Sequence, residues 1–216
     1  MTFALLALAL TGAPDLPARF ARDVCPDTHQ ADESNVDFKR KLEEQVGCMR
    51  KAMNKELDRV IQPLKAKDPT RFHAWMTLQA QDNAWTDAVC TLAETIFWID
   101  LETGLRSDGT ARSTTQMACL LALHAQRGAF SRALASKEQG KWQRYIEAQR
   151  EDGPRAVAEL EQVLTVAHRF QSVDAGPPVR DAVEVPLTSS EWAELSALAT
   201  KVKEGPARLA LQPVPW

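Results

Sequence analysis

Two cysteines, Cys90 and Cys119, flank a glycine-bearing turn, and this pattern constrains the fold more than any other feature of the chain. The turn is the segment Gly104-Leu105-Arg106-Ser107-Asp108-Gly109-Thr110. Glycine readily adopts the backbone conformations that end a helix and reverse the chain. On both sides of the turn, apolar residues recur at helical spacing. The sequence therefore predicts two antiparallel helices that meet at this turn and are joined by a disulfide.

The composition predicts an all-α protein. Hydrophobic residues make up 44% of the chain and charged residues 25%, which is typical of a soluble globular domain. Good helix formers dominate, and the alternation expected of strands is scarce. We predict a disulfide-stapled antiparallel helical bundle with three main helices and additional C-terminal helices. The net charge of -3, with basic residues interleaved among acidic ones, argues against a nucleic-acid partner.

The first predicted helix begins at Asp32 or Ser34 and runs to about Gln62, where Pro63 ends or kinks it. One face carries apolar residues at steps of three and four: Phe38, Leu42, Val46, Met49, Met53, Leu57 and Val60. Such a regular stripe is more typical of a packing surface than of a ligand groove. We expect the segment before this helix, which contains Pro14, Pro17 and Pro26, to be mobile.

The second and third predicted helices form the hairpin. The second spans residues 69–103, with Asp68 as its N-cap, and the third begins within residues 108–113 and ends near Ala135. The second carries three of the six tryptophans, Trp75, Trp85 and Trp98. We therefore expect it to be the central helix, covered by both neighbours.

The remaining chain divides into shorter pieces. We predict a helical bundle domain over residues 25–135, a helical extension over residues 137–171 and a Pro-rich linker over residues 172–187. Residues 188–216 then hold a C-terminal helix and tail. Thr188 and Glu191 fit a capping box that opens this last helix, which we expect to run from 192 to 203.

Residues 1–13 form an apolar run followed by small residues, which indicates a secretory signal peptide. No Lys or Arg precedes the run, and Pro14 is unfavourable after a cleavage site, so a short buried helix is the alternative. The run is too short to span a bilayer, and we predict no transmembrane segment. Four downstream cysteines fit an oxidising compartment, which favours a periplasmic or secreted protein.

The four cysteines allow three pairings, and their spacing alone does not choose among them. Cys90 and Cys119 lie symmetrically about the second turn, but Cys48 and Cys90 lie similarly about the first. The helical neighbours of Cys48 are mostly polar, namely Glu44, Gln45, Lys51 and Ala52. A cysteine on this flank is well placed to hold an outer segment, so we favour Cys25 with Cys48 and Cys90 with Cys119.

No residue constellation in the sequence specifies a reaction. Motifs for a serine nucleophile elbow, a zinc protease helix or a phosphate-binding glycine loop are missing from the sequence. Cys25 and His29 are four residues apart, so one turn could present both to a metal ion, but no second Cys/His cluster has the spacing of metal ligands. We therefore predict a non-enzymatic protein with no catalytic residues, no metal and no cofactor.

Short motifs surround both cysteines of the hairpin. They are Asp87-Ala88-Val89-Cys90, Gly109-Thr110, and Cys119-Leu120 followed by Leu123 and Arg127. Over residues 25–134 the chain resembles the N-terminal domain of the LprI-type lysozyme-inhibitor family, which comprises small secreted or periplasmic helical domains with four cysteines. Three features depart from the family pattern: Thr86 stands where the family has arginine, Asp82 where it usually has tryptophan, and the spacing from Cys25 to Cys48 is longer than expected.

The resemblance implies a secreted protein that binds a lysozyme or another cell-wall hydrolase. If the protein has an inhibitory surface, we expect it on the turn, at Arg106, Ser107 and Asp108. An ordinary surface turn is the alternative. We expect Arg127 to pair with a carboxylate inside the bundle rather than with a partner. A cell-envelope scaffold without catalytic activity is the second functional hypothesis.

Overall fold

The computed structural model describes residues 16–29, 32–107, 113–136, 140, 153–171 and 184–211, which form a helical bundle with one small sheet. The helices are α1 (Leu16–Val24), α2 (Asn35–Lys67), α3 (Pro69–Phe97), α4 (Thr114–Ala135), α5 (Gly153–Gln171) and α6 (Ser189–Leu211). Strands β1 (Leu105–Ser107) and β2 (Glu184–Pro186) pair antiparallel. The predicted all-α, disulfide-stapled bundle with C-terminal helices is confirmed.

Three helices begin at the polar caps that the sequence predicts. Ser34 Oγ accepts a hydrogen bond from the Asp37 backbone N–H at 3.1 Å, which selects Ser34 over Asp32 as the cap of α2. Asp68 caps α3, and Pro69 occupies the first turn, where a missing N–H costs nothing. At α6 the Thr188 backbone N–H donates to Glu191 Oε2 at 2.8 Å. The Glu191 N–H donates back to Thr188 Oγ1 at 3.3 Å, which completes the capping box.

Helix α1 corrects the expectation of a mobile segment before α2. Pro17 lies in its first turn, where proline is compatible with a helix. Phe20 is 2% exposed and packs on Gly128 of α4, where a Cβ atom would collide with the phenyl ring. Leu16, Phe20 and Val24 recur every four residues, which is a helical spacing, and the partly buried Leu16 and Val24 pack in the same cluster as Phe20. Local pattern and tertiary packing together therefore define α1.

Two predicted helix ends are wrong. Helix α2 continues through Pro63 to Lys67. The proline is exposed, and the residues on either side of it, Ile61 and the partly buried Leu64, pack in one cluster with Trp75. Helix α3 ends at Phe97 instead of Thr103. Gly104 has a φ of 73°, and its N–H donates to the Asp100 carbonyl in a tight turn that returns the chain to β1.

The enclosed helix is α4, and the prediction of α3 as the central helix is wrong. Every residue of α4 from 114 to 134 is buried or half-buried, whereas α3 keeps Met76 and Phe97 about half exposed. Helix α1 covers the side of α4 that three sequence-predicted helices alone would leave open. Small residues of α4 make this close approach possible: Ala125, Gly128, Ala129 and Ala133 are all buried.

The C-terminal helices share a hydrophobic core with the α3–α4 hairpin. Leu160 and Ala167 of α5 and Trp192 and Leu195 of α6 belong to the same buried cluster as Leu92 of α3. Trp192 stacks on Phe170 with ring centroids 5.1 Å apart. The Trp85 indole N–H donates to the Val202 carbonyl at 3.1 Å. Residues beyond 135 thus complete the apolar core of the hairpin.

The end of the predicted linker is a strand. Val185 pairs with Arg106, and Leu187 is buried immediately after β2. Helix α6 extends to Leu211, past the predicted end at Lys203. The predicted signal peptide (1–13), residues 137–139 and 141–152 of the predicted extension, residues 172–183 of the linker and the tail after 211 lie outside the described residues.

Candidate functional site

Two disulfides fix the elements around the candidate site. Cys25 is bonded to Cys48 with Cα atoms 6.1 Å apart, and Cys90 to Cys119 with Cα atoms 5.4 Å apart. These are the two pairs that the sequence favours. The first joins the end of α1 to α2, and the second joins α3 to α4 below the turn. For loops with separations of 23 and 29 residues, chain entropy contributes about 3 to 4 kcal/mol each.

The expected partner-binding residues lie at the turn above the Cys90–Cys119 disulfide. Arg106 and Ser107 belong to β1 and are half-buried, whereas Asp108 lies outside the described residues. Arg106 Nη1 donates to Glu191 Oε1 of α6 at 2.6 Å. The Ser107 N–H donates to the Trp98 carbonyl at 2.9 Å. The first half of the turn is therefore tied to both α6 and the end of α3.

Glu191 is the centre of this attachment. Its carboxylate accepts hydrogen bonds from Thr188 at the start of α6 and from Arg106. Burial by itself raises the pKa of Glu191, but the hydrogen bonds from Thr188 and Arg106 together lower it. The ionised carboxylate thus closes the α6 cap and pairs with the turn at the same time.

Glu94 of α3 holds the start of α4, which follows the turn. Ser113 has a left-handed φ of 76°, and its own side chain does not cap α4. Instead Glu94 Oε1 accepts from the Ser113 N–H at 2.6 Å and Glu94 Oε2 from the Gln116 N–H at 2.9 Å. A carboxylate at a helix N-terminus also interacts favourably with the helix dipole. Glu94 therefore replaces the missing local cap and fixes where the chain enters α4.

A second polar group joins α3 to α4 away from the turn, and we call it the Arg127 cluster. Arg127 Nε lies 2.6 Å from Asp82 Oδ2. Its two terminal nitrogens donate to Asn83 Oδ1 at 2.8 Å and to Gln79 Oε1 at 2.5 Å. The Arg127 and Asp82 side chains are 14% and 22% exposed. The expected pairing of Arg127 with a carboxylate inside the bundle is confirmed.

Burial governs the electrostatics of this cluster. It raises the pKa of Asp82, with Arg127 opposing the shift, and it lowers the pKa of Arg127, with Asp82 and Asp87 opposing. His124, one turn before Arg127, is 8% exposed. The pKa of His124 is lowered to about 4, mainly by burial and in addition by the nearby Arg127 and Arg50, whereas Asp87 opposes the shift. The imidazole is therefore neutral at neutral pH.

Cys25 and His29, the two residues of the alternative metal site, bind other residues in the fold. The Cys25 sulfur is bonded to Cys48, and His29 Nδ1 lies 2.5 Å from Glu33 Oε1. Lys41 Nζ lies 2.6 Å from the other oxygen of Glu33. Within the part of the chain that the structure describes, no three His, Cys, Asp or Glu residues form a group that could hold a metal ion.

Sequence reasoning identified the turn and the cysteines but missed the Arg127 cluster as a unit. Gln79, Asp82 and Asn83 lie on the same turn of α3, so a helical spacing of three and four residues could have grouped them. The carboxylate of Asp82 pairs directly with Arg127 and gives the arginine a charged partner.

None of the described helices is both long enough and apolar enough to cross a bilayer. Comparison of the chain with protein-family models, with curated proteins and with solved structures found no match.

Proposed function

We propose that this protein is exported to an oxidising compartment and binds a protein partner there, and that the partner is a lysozyme or another cell-wall hydrolase. Support for export comes from the two disulfides, since bonded cysteines persist outside the reducing cytosol. Support for the partner comes from the resemblance of residues 25–134 to LprI-type lysozyme inhibitors. The net charge of -3 is compatible with a basic hydrolase. The proposed activity is binding, without catalysis.

The observation that carries the proposal is the attachment of the turn on both sides. Below it lies the Cys90–Cys119 disulfide, on one side the Arg106–Glu191 ion pair, and on the other the contacts of Glu94 with the start of α4. A segment whose ends are already fixed loses less conformational entropy when it binds. We place the contact surface at Ser107 and Asp108. Arg106, which is engaged with α6, serves to position them.

A lysis assay tests this proposal. Purified oxidised protein is added to lysozyme acting on bacterial cell walls, and the fall in turbidity is followed. We expect molar excess of the protein to slow lysis, and Asp108→Ala to weaken the effect. Asp58→Ala is a matched control, because it removes the same charge from an exposed position on α2. Unchanged lysis together with no measurable binding would remove the hydrolase from the proposal.

The second candidate function is that of a cell-envelope scaffold. In this hypothesis the partner binds exposed apolar side chains such as Val36, which is 77% exposed, and Phe97, which is 47% exposed. Truncation near Ala135 would be a poor test, because it removes Trp192 and its neighbours from the shared core. Full-length variants Val36→Asp and Phe97→Asp are better probes. A scaffold would lose binding to envelope proteins in these variants while lysozyme activity stays unaffected by any form of the protein.

A further inference from the structure

The two disulfides differ in their access to solvent. Cys90 is 0% exposed and Cys119 is 6% exposed, so both sulfurs lie inside the core of the hairpin. Cys25 is 7% exposed, but its partner Cys48 is exposed on the polar flank of α2. Thiol–disulfide exchange requires a thiolate to reach one of the two sulfurs. A reductant can therefore approach Cys48 without any opening of the fold, whereas Cys90 and Cys119 are shielded.

Among the helices of the described ranges, α1 depends most on the Cys25–Cys48 bond. It has nine residues, which is too short for a helix to be stable alone in water. Apart from the disulfide at its C-terminal end, α1 is attached by the apolar packing of Leu16, Phe20, Ala21 and Val24 and by the ion pair of Asp23. Phe20 is buried against Gly128, and Arg132 lies over its ring at 4.5 Å. Asp23 is 50% exposed and lies 3.3 Å from Arg132, so solvent screens this ion pair.

We propose that the Cys25–Cys48 disulfide is a redox-sensitive latch: its reduction by a dithiol releases α1 from the bundle, while the Cys90–Cys119 disulfide stays closed and holds the hairpin. The reductant is a protein or small molecule with two neighbouring thiols. Release of α1 uncovers the apolar slot under Phe20, which is lined by Met49, Ala125 and Ala129. This inference depends on the fold and not on the proposed function.

The exchange proceeds in two steps that balance. A thiolate of the dithiol attacks the Cys48 sulfur, the Cys25–Cys48 bond breaks, and Cys25 leaves as a thiolate that takes a proton from water. The second thiol of the reductant, as a thiolate, then attacks the mixed disulfide and releases Cys48, which is protonated in turn. Two electrons and two protons have passed to the protein, and the reductant ends as a disulfide.

Reduction of the full-length oxidised protein with dithiothreitol, without denaturant, tests the latch. Samples are alkylated at intervals, and each cysteine is quantified by peptide mass spectrometry. We expect Cys25 and Cys48 to be alkylated about tenfold faster than Cys90 and Cys119, or more. Hydrogen exchange on the same samples should accelerate by about tenfold or more in residues 16–24, with α3 and the Cys119 end of α4 unchanged. Equal reduction rates for the two bonds would overturn the proposal.

Two variants separate the latch from general loss of stability. The double variant Cys25→Ser, Cys48→Ser should show fast exchange in residues 16–24 before any dithiothreitol is added, and no further change afterwards. Phe20→Ala keeps the disulfide but removes the buried ring, so its residues 16–24 should exchange still faster after reduction than before. If residues 16–24 of the double variant exchange as slowly as in the oxidised protein, the bond does not hold α1 and the proposal is wrong.

Discussion

The two ends of helix α4 are held in different ways. At the turn end, Cys119 is bonded to Cys90 and lies in a large apolar cluster that includes Trp192 of α6. At the far end, the buried side of α4 consists of small residues such as Gly128 and Ala129, flanked by Arg127 and Arg132. One large apolar cluster holds the first end, whereas smaller apolar clusters, close fit and ion pairs together hold the second.

This difference predicts different responses to change. Apolar burial is non-directional and scales with area, so the turn end should lose stability in proportion to the volume removed. The far end depends on Gly128, which has no side chain, and on the charged pair of Arg127 and Asp82. It should respond strongly to an added methyl group, to the loss of one charge and to acid.

The largest effect is expected at the turn end, from Trp192→Ala. Trp192 is 2% exposed and stacks on Phe170, and truncating a buried tryptophan should cost about 4 kcal/mol of unfolding free energy. Urea unfolding at pH 7 and at pH 5 measures this loss, which should be the same at both values. A loss below about 1 kcal/mol would mean that α6 contributes little to the core of the hairpin.

At the far end, Arg127→Met should cost about 3 kcal/mol, because it leaves the Asp82 carboxylate buried without its partner. Replacing both residues, as Asp82→Leu with Arg127→Met, should recover most of this loss. Arg40→Met is the matched control: Arg40 and Glu44 form an ion pair whose side chains are 55% and 63% exposed. Equal losses for Arg40→Met and Arg127→Met would show that burial of the Arg127 cluster is unimportant.

The close fit between α1 and α4 is tested by Gly128→Ala, for which we expect a loss of about 2 kcal/mol through overpacking. The new Cβ atom would collide with the Phe20 ring. Gly47→Ala is the control, since Gly47 lies within α2 and a Cβ there would meet no atom within 4 Å. That change should stabilise the protein by about 0.5 kcal/mol or more, because alanine favours a helix. Thermal unfolding compares the two variants.

The same contrast explains what the sequence could predict. Helices with a regular stripe or a polar cap, such as α2 and α6, follow from local pattern, and the turn follows from Gly104 between two cysteines. Helix α1 carries a helical signal in Leu16, Phe20 and Val24, which recur every four residues, but the nearby Pro14, Pro17 and Pro26 favour the prediction of an irregular segment.

Some contacts of the candidate site also follow from local sequence, and others depend on tertiary packing. Position along the chain places Arg106 and Ser107 at the turn, and the facing of Cys48 favours its bond to Cys25. The attachment of Arg106 to Glu191 joins residues 85 positions apart, and no local rule predicts such a contact. Likewise, α1 completes the enclosure of α4 beside α2 and α3, and this depends on tertiary packing.

The smallest effect concerns His124 and acid. Its pKa in the folded protein is about 4, below the ordinary value of 6.5, so the unfolded chain binds the proton more readily between these values. The contribution of neutral His124 to the free energy of unfolding is therefore fully present above about pH 6.5 and is lost as the pH drops toward 4. The shift corresponds to at most about 3 kcal/mol, and partial screening by solvent reduces the expected loss to about 1 to 2 kcal/mol.

Comparison with His124→Gln isolates this contribution, because glutamine cannot take up the proton. Asp82 acts in the opposite sense, since its raised pKa favours protonation of the folded state, but this term is present in both proteins. Urea unfolding from pH 7.5 to pH 4.5 should show a steeper loss of stability in the wild type than in the variant. Parallel curves would mean that protonated His124 is tolerated in the fold, and the acid sensitivity of the far end of α4 would then belong to other groups.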